Sequence, residues 1–177
     1  MNICAFDSRQ AQEVIELFSK VFSESEGRDE GELVGKLVSE LVTTPAPDLF
    51  GFVAADREKI VASIFFSRLR FRDPVNAFLL SPVAVDTNQQ GKGIGQKLIS
   101  FGIDQMKARG VDFLFTYGDP NFYRKVGFEP VSEEVIKGPL PLTHPEGWLG
   151  QSLTDEEIKP IAGGSQCVEA LNNPELW

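Results

Sequence analysis

Apolar residues in the first quarter of the chain recur at helical spacing. Four of them share one face of a helix predicted from about Gln10 to Phe22: Val14, Leu17, Phe18 and Val21. Ser8 can cap the start of this helix. The polar stretch SESEGRDEG then predicts a loop, and a second helix is predicted from about Glu32 to Leu41.

Continuous apolar runs farther along the chain predict strands. They are NICAF near the start, then LFGFVAAD, KIVASIFFSRLRF, AFLLSPVAV and VDFLFTYG, followed by a strand near Glu129–Ile136. LFGFVAAD and KIVASIFFSRLRF flank REK, and this arrangement predicts a β-hairpin. The segment QCVEAL is considered as a last strand. With a third helix over 93–109 and a very short fourth one, the order is β-α-α-β-β-β-α-β-α-β, a mixed α/β domain.

Three glycines fall at alternate positions in VAVDTNQQGKGIGQKL, between a predicted strand and a predicted helix. The spacing of Gly91, Gly93 and Gly95 does not fit a P-loop, a dinucleotide-binding fingerprint or a kinase loop. The pattern that the sequence does contain is Gln90-x-x-Gly93-x-Gly95, between a predicted strand and the start of a predicted helix. Unpaired amides and the positive end of the helix dipole favour an anion such as phosphate here, with Lys92 as a nearby cation. A tight turn without a ligand is the alternative.

Two neighbouring features favour a ligand. Pro82 lies inside a predicted strand, where proline marks an edge or a bulge, so the fourth and fifth strands are expected to diverge. In DPNFYRKVGF, Asp119 is a suitable N-cap, and the short helix that follows would place Asn121 and Tyr123 at the mouth of the resulting wedge. Gly127 suits a left-handed stop.

Composition narrows the classes of function. The 177 residues include 17 Lys and Arg against 26 Asp and Glu, so the net charge of −9 shows no basic footprint for nucleic acid. No apolar run is long enough to span a membrane, and MNICAFDSRQ does not resemble a secretion signal, so the cytoplasm is the predicted compartment. A single histidine, His144, and two distant cysteines disfavour a metal site and a Ser-His-Asp triad.

The segments QGKGIG and YRKVGF together resemble the two signatures of the GNAT superfamily of N-acetyltransferases, and the resemblance extends over residues 1–135. It implies an α/β fold with a mixed, mostly antiparallel sheet of about six or seven strands flanked by helices. It also implies a V-shaped cleft between the fourth and fifth strands. The expected domain is 1–138, with an extension over 139–177 that packs on the same domain.

The resemblance also implies an acetyl-CoA site without a metal. The backbone of Val83, Ala84 and Val85 would pair with the pantetheine arm, and Asn121 would contact that arm. Tyr123 would lie near the sulfur and protonate the departing thiolate. The pyrophosphate would be bound by the amides of Gln90, Gly91, Lys92, Gly93, Ile94 and Gly95. Glu24 and Glu26, expected in the loop between the first two helices, are candidates for the general base.

The leading hypothesis is therefore an enzyme that acetylates a primary amine of a small molecule or a peptide. The alternative is a non-catalytic module on the same fold that senses acetyl-CoA or binds a partner. A nucleic-acid-binding protein would depend on Arg68, Arg70 and Arg72 alone, which alternate in RLRFR; a solvated strand face explains them as well. Trp148 and Trp177 favour a homodimer, since aromatic residues are enriched at interfaces.

Overall fold

All 177 residues are described by a computed structural model, which is built around one seven-stranded sheet. The strands are Asn2–Ala5 (β1), Leu49–Asp56 (β2), Lys59–Leu69 (β3), Ala77–Val85 (β4), Phe113–Tyr117 (β5), Glu129–Pro130 (β6) and Trp148–Ser152 (β7). The helices are Ala11–Glu26 (α1), Arg28–Leu41 (α2), Ile94–Ala108 (α3) and Pro120–Tyr123 (α4). Across the sheet the order is β1-β2-β3-β4-β5-β7-β6. None of the helices combines the length and apolarity needed to cross a membrane.

The sheet is mixed, and β4 and β5 pair in parallel over a short stretch. That pairing runs from Ala77 opposite Phe113 to Leu80 opposite Thr116, while β4 continues to Val85. The Thr116 hydroxyl donates to the Leu80 carbonyl at 2.8 Å, at the last paired position. Pairing between the fourth and fifth strands therefore ends two residues before Pro82, and the predicted cleft between them stays a prediction. The pairs β1–β2, β5–β7 and β6–β7 are antiparallel.

Contacts divide the chain into two compact units. The first unit comprises 1–66 and 82–102, and the second comprises 67–81 and 103–177. In the first unit, aromatic rings pack on both faces of β3. Phe65 lies 6.1 Å from Phe18 of α1 between ring centroids, whereas Phe66 lies 6.0 Å from Phe52. This alternation follows from the two-residue period of a strand, and it fixes α1 against one face.

The first two helices are separated by one residue, not by a loop. The sequence predicts a polar break over SESEGRDEG, but α1 continues to Glu26 and α2 begins at Arg28. Only Gly27, with φ of 100°, leaves the helical conformation. Serine, glutamate and arginine are tolerated in helices when one face is packed, so polarity alone does not end a helix. Glu24 and Glu26 thus lie in the last turn of α1 and not in a loop.

The segment after Pro139 contributes a strand that the sequence analysis missed. Strand β7 lies between β5 and β6 and pairs with both. Its sequence WLGQS is short and contains a glycine, so it gives little strand signal. By contrast, the strand predicted over Glu129–Ile136 is only two residues long, and QCVEAL forms an isolated bridge at Gln166 and a 3-10 turn over Glu169–Leu171. The domain limits at 138 and 139 stay a prediction.

Both tryptophans of this segment are buried within the second unit. The Trp148 indole stacks on Phe115 with centroids 5.4 Å apart and donates to the Ile136 carbonyl at 2.9 Å. The Trp177 ring stacks on Tyr117 at 5.6 Å. The expectation that these two side chains form an interface is therefore wrong, and the reason for a homodimer is lost with it.

Of the three arginines of RLRFR, only Arg68 lies within β3, which ends at Leu69. The Arg68 guanidinium lies 4.2 Å above the Phe78 ring and donates to the Asn76 side chain at 2.6 Å. Arg70 forms a bridge with Gln166, and Arg72 lies beyond it.

The close packing of α1 on α2 gives the first prediction. A Cβ atom at Gly31 would lie 2.7 Å from the Ser19 carbonyl oxygen, whereas one at Gly35 would meet chiefly the Ser19 hydroxyl, which can rotate. Alanine gains about 1 kcal/mol over glycine in a helix, but overpacking against fixed backbone costs about 1–3 kcal/mol. We expect Gly31→Ala to lower the free energy of unfolding and Gly35→Ala to lower it less, as measured by urea denaturation. Equal or greater stability of Gly31→Ala than of the native protein would contradict this packing.

Candidate functional site

The glycine turn joins β4 to α3 within the first unit. Gly91 and Gly93 adopt φ of 76° and 78°, a left-handed conformation that glycine accepts without strain. No atom lies within 4 Å of the position that a Cβ would take at either residue. The glycines are therefore required by the path of the backbone, and the surface beside them is open.

The amides of this turn are unpaired. No hydrogen bond within the chain is donated by the backbone N–H groups of residues 91–96, and the first helical bond of α3 is from Lys97 to the Gly93 carbonyl at 3.1 Å. The turn thus presents six backbone donors at the positive end of a 15-residue helix. Such a row of donors, without side chains at three of its six positions, suits an oxyanion and in particular a phosphate.

Side chains beside the turn bind back to it. The Gln90 side-chain amide donates to the Val85 carbonyl at 3.0 Å, and the Lys92 ammonium donates to the Gln89 side chain at 3.1 Å. Both Gln90 and Lys92 are exposed. The positive charge of Lys92 is consequently kept close to the open amides.

A buried carboxylate that the sequence analysis missed precedes the turn. The Asp86 side chain is 5% exposed, and it accepts hydrogen bonds from the Asn88 amide at 3.0 Å and from the Lys20 ammonium at 3.1 Å. Its pKa is lowered by the Asn88 amide first and then by Lys20, with the charge of Lys59 adding to the effect. An aspartate directly after a strand and before TNQ is an N-cap signal that could have indicated it.

The two candidate bases differ in their contacts. Glu24 is exposed and accepts a hydrogen bond from the Thr87 hydroxyl, which follows Asp86. Glu26 is exposed at the last position of α1. Of the residues predicted from the sequence, the first unit thus brings Glu24 to the segment that leads into the glycine turn.

The second unit contains the other predicted motif, folded as expected. The Asp119 carboxylate accepts the Asn121 amide at 2.9 Å, Pro120 occupies the first helical position, and Gly127 ends the helical segment with φ of 95°. Asn121 is exposed at the start of this short helix. Asp119, Pro120 and Gly127 therefore start and end the helical segment as the sequence predicts.

Tyr123 is fixed by aromatic contacts on several sides. Its ring meets Phe122 and Phe128 edge to face, with centroid distances of 5.0 and 5.8 Å. A Cβ at Gly118 would lie 2.8 Å from the Tyr123 ring. Burial raises the pKa of Tyr123 to about 12; the Thr116 side chain opposes this, and the charge of Asp119 adds to it. The phenol therefore remains protonated at neutral pH, so it can donate a proton or a hydrogen bond but cannot act as a base.

A metal centre has no obvious donors in this chain. No three His, Cys, Asp or Glu side chains are grouped so that they could hold a metal ion, and Cys4 and Cys167 are both free thiols.

Comparison with known proteins finds a similarity to one family. A family model described as an acetyltransferase (GNAT) domain matches residues 47–130. An uncharacterized N-acetyltransferase of Escherichia coli K12, YjhQ, is 32% identical over 119 residues, which is 63% of this chain. Residues 47–130 of the chain are thus similar to the acetyltransferase (GNAT) domain. The match spans 64% of the length of YjhQ.

Solved structures agree on the fold. The GNAT protein YhbS of E. coli, crystallised with CoA, superimposes with a TM-score of 0.79 at 23% identity over 97% of this chain and 92% of YhbS. A GNAT acetyltransferase of Brucella melitensis, crystallised with acetyl-CoA, gives 0.71 at 22% identity over 97% of both chains. At these identities the likeness establishes the GNAT fold.

The raised pKa of Tyr123 can be tested directly, because the chain contains only two tyrosines. We expect the tyrosinate absorbance of the native protein to include a component near pH 12 that Tyr123→Phe removes. Since the folded pKa exceeds the ordinary value of 10.0, the associated stability is complete below pH 10 and is lost as the pH rises toward 12. Loss of a component near pH 10 in Tyr123→Phe would show that the phenol is not desolvated.

Proposed function

We propose that this protein is an N-acetyltransferase that transfers the acetyl group of acetyl-CoA to a primary amine. The observation that carries the proposal is the row of unpaired amides over residues 91–96, which is open at Gly91 and Gly93 and overlaps the motif Gln90-x-x-Gly93-x-Gly95. The presence of CoA and acetyl-CoA in the YhbS and Brucella structures supports acetyl-CoA as the co-substrate.

The cofactor would be recognised mainly by backbone groups. We assign the pyrophosphate to the amides of Gln90 to Gly95 and to the Lys92 ammonium, because glycine leaves space for phosphate oxygens. The pantetheine arm would pair like an added strand with Val83 to Val85, beyond the last position at which β4 pairs with β5. The Asn121 side chain would donate to or accept from the same arm.

Catalysis would begin with attack of the amine on the thioester carbonyl. The carbonyl oxygen then gains negative charge, and backbone amides of Val83 to Val85 are assigned to stabilise it. One well-placed donor of this kind contributes about 3–4 kcal/mol to the barrier. The carbon–sulfur bond then breaks and the electron pair leaves with the sulfur.

Tyr123 would assist departure of the sulfur. A free thiol has a pKa of about 8.5, so transfer of a proton from a phenol of pKa about 12 to a solvated thiolate is unfavourable by about 5 kcal/mol. We therefore assign to Tyr123 a hydrogen bond to the sulfur, with full proton transfer favoured where desolvation raises the pKa of the thiol as well.

The acceptor amine must lose a proton, because an alkylammonium has a pKa of about 10.4. Glu26 and Glu24, in the last turn of α1, are alternative candidates for the base that removes this proton. The net charge of −9 is consistent with a cationic acceptor, either a small molecule or a peptide.

Binding of acetyl-CoA to the native protein is expected in the micromolar range by calorimetry. Gly93→Asp should abolish it, because the substitution places a carboxylate among the amides at a left-handed position. Gly163→Asp is the matched control: Gly163 has φ of 85° and no atom within 4 Å of its Cβ position, but it lies outside the turn. Equal loss in both variants would mean that strain, and not the anion site, causes the effect.

Turnover gives the second test of the function. We expect Tyr123→Phe to lower kcat by roughly 10²-fold or more in a CoA-release assay, in the range for loss of a general acid, while acetyl-CoA still binds. An unchanged kcat would remove Tyr123 from the mechanism. Tight acetyl-CoA binding with no CoA release across a broad amine panel would support the non-catalytic module instead.

A further inference from the structure

Two residues of α1, one helical turn apart, contact two consecutive residues that lead into the glycine turn. The Lys20 ammonium lies 3.1 Å from the Asp86 carboxylate, and Glu24 accepts the Thr87 hydroxyl. Because residues i and i+4 lie on the same face of a helix, one face of α1 makes both contacts. We call these four residues, Lys20, Glu24, Asp86 and Thr87, the α1 clamp.

The clamp holds the part of the turn whose backbone amides are hydrogen-bonded inside the chain. The Asp86 amide donates to the Val61 carbonyl at 2.7 Å, and the Gln89 amide donates to the Asp86 carbonyl at 2.8 Å. From residue 91 to residue 96 no amide has an internal acceptor. The direction of those six N–H groups is consequently set by where residues 86–89 enter the turn and where α3 begins.

The two contacts of the clamp differ in burial. Asp86 is 5% exposed, so its charge is poorly solvated and depends on Lys20, which is 44% exposed in its side chain. Thr87 and Glu24 are exposed, so water can compete for the hydrogen bond between their side chains. Asp86 therefore anchors the segment, and the Thr87–Glu24 bond limits its remaining motion.

We propose that Lys20 and Glu24 are positioning residues for the diphosphate-binding turn, with Glu24 acting through the Thr87 hydroxyl. The inference rests on the proposed function for its ligand and extends it to α1. It gives Glu24 a role distinct from that of a general base, and the two roles predict different effects of the same substitutions.

The test compares Thr87→Val, Glu24→Ala and Glu24→Gln, with Glu16→Gln as the control on the same helix. Glu16 is exposed and bonds only to Gln12, one turn away. Two quantities are measured: the Kd for acetyl-CoA by calorimetry, and amide hydrogen exchange of residues 87–96 in the free protein. Thermal unfolding checks that each variant is folded.

We expect Thr87→Val and Glu24→Ala each to raise the Kd by about three- to tenfold, as for loss of one hydrogen bond, and to speed exchange in 87–96. The double variant should be no weaker than either single one, because both remove the same bond. Glu24→Gln should keep a Kd within about twofold of the native value, since an amide oxygen accepts the same bond. Glu16→Gln should match the native protein in both measurements.

The outcomes separate this inference from the proposed function. Failure of the native protein to bind acetyl-CoA would refute the function, and the exchange data would then decide whether the clamp orders the turn. If the native protein binds acetyl-CoA, and Thr87→Val has the same Kd and the same amide exchange rates, the positioning role of the clamp is overturned. The proposed function is then unaffected. Loss of turnover in Glu24→Gln, with normal turnover and Kd in Thr87→Val, would also overturn it and make Glu24 the base.

Discussion

A backbone amide that has no carbonyl partner in the chain must bind water or a ligand, and six such groups lie together in the glycine turn and the first turn of α3. Two left-handed glycines give the turn its path and leave its surface uncovered. The rest of the first unit supports this arrangement. Aromatic packing on β3 fixes α1, and α1 in turn contacts the segment that enters the turn. The proposed cofactor site thus depends on donors that the fold leaves unpaired.

Two ionisable residues of the candidate site, Asp86 and Tyr123, have pKa values that are shifted in opposite directions. Asp86 is a buried charge that is paired and hydrogen-bonded, so it remains ionised and orders its surroundings. Tyr123 is desolvated and lies near the charge of Asp119, so its pKa is raised and it remains neutral. The first group suits a structural role beside an anion site. The second suits a donor to a developing thiolate, whose charge a neutral phenol can stabilise without repulsion.

Features set by local chemistry were predictable from the sequence, and those set by distant packing were not. The glycine turn, β4 and the caps Asp119, Pro120 and Gly127 follow from residue types at fixed offsets. Strand β7 and the burial of Trp148 and Trp177 depend on pairing with β5 and on stacking far along the chain. The continuation of α1 through Glu26 depends on packing against α2, which offsets a polar composition. The capping role of Asp86 could be predicted from its position before TNQ. Its contact with Lys20, 66 residues away, could not, because nothing in the sequence relates the two residues.

The most direct test of the central claim is a ¹⁵N–¹H correlation spectrum of the labelled protein during titration with CoA. Formation of hydrogen bonds to phosphate oxygens is expected to shift the amide protons of residues 91–96 downfield, and more than those at Gly110 and Gly163, which are also left-handed glycines. Such a pattern would support a diphosphate in the glycine turn. Saturating CoA with unchanged amides over 91–96, and shifts elsewhere, would show that the unpaired donors are solvated and that the ligand binds at another place.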